Sequence, residues 1–227
     1  QTRNTMVHFA YRSCSHVVSS RMQNEVPFMK ENRLLFTNAL IVLPTETIKG
    51  SLAVEDGKIT LFEFSIDFAE FGTELPGFTE VDVHGKALMP GAIDTHVHMW
   101  DPSPLNYRED WACGSQCAAS GGITTIIDMP LSVPPVVDKE GFQLKLDVAQ
   151  KESCVDFAFW GGLTPNCVQN MEELNRLGCV AYKGFMSFAN PDYPQVTDGY
   201  RLYCFPCADY ALSRCDKPRW LVQASFL

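Results

Sequence analysis

LMPGAIDTHVHM, residues 88–99, marks where the chain changes texture. It is a buried-strand run closing on polar residues, and strand and helix signals alternate after it. REDWACGSQCAASGG reads as a helix ending in glycines, and ITTIIDMP as a continuous apolar strand. DKEGFQLKLDVAQKES shows a loose helical spacing through Phe142, Leu144, Leu146 and Val148, with charges between them. VDFAFWGGL is a strand, CVQNMEELNRLG a helix with Gly178 as its stop, and CVAYKGFMS a strand. Four strands and three intervening helices between residues 88 and 186 mean repeated βαβ units and a parallel sheet.

Upstream the signals differ. LLFTNALIVLPTETIKGSLAVEDGKITLFE, residues 34–63, consists of short apolar runs broken by Pro44, Gly50 and the EDG turn at 55–57. These are hairpin signals, the Asp-Gly pair foremost. EVDVHGKA, residues 80–87, alternates in the same manner. A small β domain over 29–87 therefore precedes the α/β part, which runs over 88–200. Beyond Tyr200 the period stops, and 201–227 reads as an irregular tail of the kind a frameshift or alternative splice leaves.

Residues 1–28 read as a leader-like extension. The stretch 1–24 holds Arg3, Arg12 and Arg21 and no acid before Glu25, a composition compatible with a mitochondrial transit peptide. The plainer reading is upstream sequence translated ahead of a start at Met22 or Met29. On that reading the protein is cytoplasmic.

The totals exclude several classes. At 227 residues the chain has room for a sizeable core, and 46% hydrophobic with 20% charged residues is an ordinary globular balance. A net charge of −9 argues against nucleic acid or an anionic membrane as partner. No apolar run approaches the roughly 20 residues of a spanning helix. The nine cysteines are odd in number and scattered, which favours reduced thiols over a disulfide framework.

Of the five histidines, His96 and His98 stand one residue apart, and none follows them. On a strand, residues i and i+2 face the same side, so both imidazoles point one way. The C-terminal end of a parallel strand is where barrel sites gather, and two such nitrogens suit a zinc-like ion. Asp94 shares their parity, as a further ligand or an acceptor behind them. Lys183 lies among apolar residues at the end of the fourth strand, where it must snorkel, pair or be modified. Asp128, at the end of the second strand, reads as a substrate contact or, preferably, a cap on the following turn; Glu109 and Asp110 read as a helix start, and Pro134 and Pro135 as a rigid loop. Cys204 and Cys207 form a C-x-x-C followed only by Cys215, one ligand short of a zinc knuckle.

PGAIDTHVH, then GSQCAASGGITTIIDMPLSVPP, then GCVAYKGFMS resemble the cyclic-amidohydrolase branch of the amidohydrolase superfamily, over residues 32 to about 200. GGITTIIDMPL-x-x-PP looks most like allantoinase, and Trp100 stands where dihydroorotases usually carry arginine. The resemblance implies a (β/α)₈ TIM-type barrel, only the first four βα units being present, preceded by part of a small β-sandwich. It implies a binuclear metal centre, zinc foremost, with His96 and His98 as ligands and Lys183 carboxylated as the bridge. It implies a cyclic-amide substrate, opened from allantoin to allantoate in purine breakdown, and a homotetramer. Hydantoinase or dihydroorotase activity, or a non-catalytic dihydropyrimidinase-like scaffold, are the alternatives.

The family also takes two histidines and a general-base aspartate from later strands. No histidine follows His98, and Asp216 matches no motif. The expectation is therefore a truncated, inactive fragment with no catalytic residue of its own and unknown substrate contacts. Its first and fourth strands would be open edges, and the chain would be insoluble or self-associated.

Overall fold

The computed structural model describes residues 7–9, 33–64, 76–188, 191, 193–196 and 222–225. The leader-like segment apart from 7–9, Asp216 and the cysteines at 204, 207 and 215 lie outside them. The chain divides into two units, Gln1–Ala92 and Ile93–Leu227.

In the first unit, β1 (Val7–Phe9), β2 (Arg33–Val42), β3 (Thr47–Glu55), β4 (Lys58–Phe64), β5 (Thr79–Asp82) and β6 (Ala87–Pro90) form one mixed sheet. The β3–β4 hairpin closes on Asp56 and Gly57, both with positive φ, the backbone that a two-residue loop of right-twisted strands requires. One edge of β2 serves two partners. Leu34–Thr37 pair with β5 and Leu40–Ile41 with β6. The handover falls at Asn38, a left-handed residue in a β-bulge. Asp82 secures it, accepting from Asn38 Nδ2 at 3.0 Å and from the His84 N–H at 2.8 Å. Phe36, Ala39, Ile41, Leu52, Val54, Val83 and Leu88 make this unit's core.

The run 88–99, expected as one strand, is two. Leu88 to Pro90 finish the first sheet, and after Gly91 a new strand, β7 (Ala92–Val97), opens the second. There β7, β8 (Ile123–Asp128), β9 (Asp156–Gly162), β10 (Ala181–Phe185) and β11 (Val222–Ser225) lie side by side in chain order. The β8–β9, β9–β10 and β10–β11 pairings are parallel. Helices α1 (Trp111–Ser120), α2 (Lys139–Glu152) and α3 (Met171–Leu177) connect the first four strands, the βα repeat of a partial TIM-type barrel. Asp110 caps α1, Asp138 caps α2, and Gly178 at φ 113° ends α3.

Two expectations change. The tail is not wholly irregular, because Val222–Ser225 pair with Tyr182–Phe185, so the outer edge of β10 is not open. The α2 stripe is also different. Phe142, Lys145, Leu146 and Ala149 are buried, at true helical spacing, and Leu144 is 40% exposed. These residues join Trp111, Ile126, Phe159 and Leu174 in the second core. Among the described residues no helix is long and apolar enough to cross a membrane.

Candidate metal centre

His96 lies near the C-terminal end of β7, and His98 follows one residue after its last, Val97. Their rings sit 5.4 Å apart, centroid to centroid. The chain's alternation brings both toward Lys183 on β10, although two strands, β8 and β9, lie between. Lys183 Nζ stands 3.1 Å from His96 Nε2. It also lies 4.8 Å from the centre of the Phe185 ring. The three residues singled out in the sequence thus converge from strands 87 residues apart in the chain.

Asp94 bonds to the backbone beside the imidazoles. Its Oδ1 accepts from the backbone N–H of His96 at 3.0 Å, fixing the turn of the strand end. Trp100 stacks on His98 at 6.0 Å and 21°, and Arg108 lies 4.9 Å over the far indole. Among the described residues no further histidine, cysteine, aspartate or glutamate completes a cluster of three.

The electrostatics are those of a site deprived of protons. Burial pushes the Lys183 ammonium below the usual lysine range. Burial, then the Lys183 charge, lowers His96, with Asp94 opposing. His98 is pushed down to about 4, by burial first and then by Lys183, His96 and Lys145. Its Nδ1 is shut from solvent with no hydrogen-bond partner among the described residues. Both imidazoles are therefore neutral at physiological pH, the form that ligates a cation.

Behind the site, on the helix side of the sheet, lies an ion pair that the sequence did not disclose. Lys145 of α2 meets Asp128 at the end of β8, and both side chains are 0% exposed. Lys145 Nζ donates to the Met129 carbonyl at 2.9 Å, and Asp128 Oδ1 accepts from the Met99 N–H at 2.7 Å. The signal for Lys145 was its place three residues after Phe142, on the buried stripe.

No protein-family model matches the chain. An allantoinase of Desulfitobacterium hafniense is 36% identical over 177 residues, 75% of this chain and 36% of that protein. A dihydroorotase of Methanosarcina mazei is 38% identical over 154 residues, 68% of this chain and 30% of the relative. The chain belongs to the cyclic-amidohydrolase family. It spans about a third of the length of these family members. Among solved structures, an L-hydantoinase (dihydropyrimidinase) from Arthrobacter aurescens matches with a TM-score of 0.66 and 29% identity, over 77% of this chain and 39% of that one. A D-hydantoinase shares the fold at a TM-score of 0.68, over 85% of this chain and 39% of its own.

Proposed function

We propose that this chain carries the first part of the metal centre of an allantoinase-like hydrolase, one that opens a five-membered cyclic amide, allantoin to allantoate, in purine breakdown. His96 and His98 would hold a divalent ion, and Lys183, once carboxylated, would supply an anionic ligand beside them. One observation carries this reading. Lys183 is 3% exposed, forms no ion pair among the described residues, and points at an imidazole 3.1 Å away. An unpaired buried ammonium beside two imidazoles is costly.

Modification removes that cost. Burial favours the neutral amine, whose lone pair attacks CO₂; the N–C bond forms as a C=O π bond opens, and one N–H proton leaves to solvent. The product is an anionic carbamate where a cation stood. The orphaned, buried Nδ1 of His98 fits the same reading, since an unpaired buried nitrogen costs about 1–3 kcal/mol that a ligated environment relieves. When bound, divalent ions in such a centre lower the pKa of water and polarise an amide carbonyl. Imidazole and carboxylate accept Zn²⁺, Mn²⁺, Fe²⁺ and Co²⁺ alike, with zinc the expected occupant.

The chain's own residues neutralise, orient and bind; the later histidines are not among them, as no histidine follows His98, and no aspartate in a family motif supplies the general base. We therefore expect metal and CO₂ uptake without turnover of allantoin. Native mass spectrometry of the purified chain, given bicarbonate and Zn²⁺, should show one added CO₂ and bound metal, both lost in Lys183→Met. A chain that takes up neither would overturn the metal reading, and a metal-free tetramer would favour a scaffold. Hydrolysis of allantoin by the chain alone would overturn the expected inactivity.

A further inference from the structure

His98 sits between two backbone anchors. On one side the Val97 carbonyl accepts from the Met129 N–H at 2.9 Å, an ordinary rung between β7 and β8. On the other the Met99 N–H finds no carbonyl, and donates instead to Asp128 Oδ1 at 2.7 Å. A side-chain carboxylate thus supplies one more rung beyond the end of the strand. The same Asp128 is paired with Lys145, whose Nζ returns to the Met129 carbonyl at 2.9 Å. Four contacts run in a ring, from Val97 through Met129, Lys145 and Asp128 to Met99, and His98 is the residue the ring spans.

We propose that Asp128, charge-balanced by Lys145, is a positioning residue that holds His98 in place for its ligand role. The inference rests on the metal reading above and assigns residues that reading does not use. Strand alternation places Asp128 with Phe159, a core residue on the helix side, so it touches neither the ion nor the substrate. It acts through the Met99 amide. A rung of this kind converts a frayed strand end into a fixed one, and a ligand so fixed loses less entropy on binding. Full burial of both charges explains why they come as a pair. An isolated carboxylate at this depth would protonate, and the acceptor would weaken.

Two double variants isolate the rung from the charges. Asp128→Asn with Lys145→Met removes both charges but keeps a side-chain oxygen for Met99; Asp128→Leu with Lys145→Met removes the oxygen as well. Co²⁺ titration of the whole chain should leave the first within about threefold of wild type and weaken the second by about tenfold or more, the scale of supports behind metal ligands. Equal affinities in the two variants would overturn the proposal. Should the leucine variant fail to fold, hydrogen exchange on the wild-type chain decides. The Met99 amide should be protected as well as that of Met129, and exchange at the rate of an unbonded amide would overturn the clamp. Failure of the wild-type chain to take up Co²⁺ would defeat the metal reading, not the clamp, which the Met99 amide then judges alone.

Discussion

Tyr193 holds Lys183 from the backbone. Its buried hydroxyl donates to the Lys183 carbonyl and accepts the Leu163 N–H at 3.1 Å, so one oxygen ties β10 to the end of β9. Tyr193→Phe removes both of these bonds but leaves the Leu163 N–H paired with the Lys183 carbonyl at 2.8 Å, and we expect a loss of about 0.5–1.5 kcal/mol in urea unfolding, with CO₂ uptake at Lys183 reduced. The meeting of His96 and His98 on one face was readable from strand parity, a local property, whereas Lys183 stood out through the family resemblance rather than its apolar setting. Lys145 was not readable. A lysine among glutamine and aspartate on a helix reads as solvent-facing, and the alternation of Phe142, Leu144, Leu146 and Val148 hid the true 3.6-residue stripe. Only the approach of Asp128 from another strand gives that lysine a reason to be buried.

At the scale of elements, two junctions carry testable strain or charge. Gly141 begins α2 so close to the preceding loop that a Cβ there would lie 2.2 Å from the Pro135 carbonyl oxygen. Gly141→Ala forces backbone apart and should cost about 1–3 kcal/mol, read from the shift of the unfolding midpoint at constant m. In the first sheet Asp82 joins the β2 bulge to the turn at His84 and Gly85. The His84 N–H, then Asn38, holds its carboxyl below the usual range. A depressed carboxylate stabilises above its unfolded pKa and loses that contribution as pH falls. Exchange protection of the 84–86 turn should therefore fade below about pH 4, and Asp82→Asn should remove that pH dependence. The Asp-Gly hairpin and the helix caps were readable, since turn chemistry is local. The break at Gly91 and the strand at 222–225 were not, because partners distant in sequence decide both.

For the whole molecule the exposed edge is the consequence to weigh. Among the described residues β7 ends its sheet, and Ile93 on it is 62% exposed. An uncovered strand with an apolar side chain pairs readily with another chain. We expect the isolated chain to sediment as a broad distribution of associated species, narrowed by Ile93→Lys; a single sharp monomer boundary for the wild type would defeat this. The Asp128–Lys145 pair has a consequence of another kind, in descent. Changing either residue alone strands a buried charge at about 3–5 kcal/mol, a large share of the 5–15 kcal/mol of a typical domain. Changing both is far cheaper. Lineages should therefore carry the two together or neither, and an intermediate with only one would be rare because it would have to survive with a buried partner left unpaired.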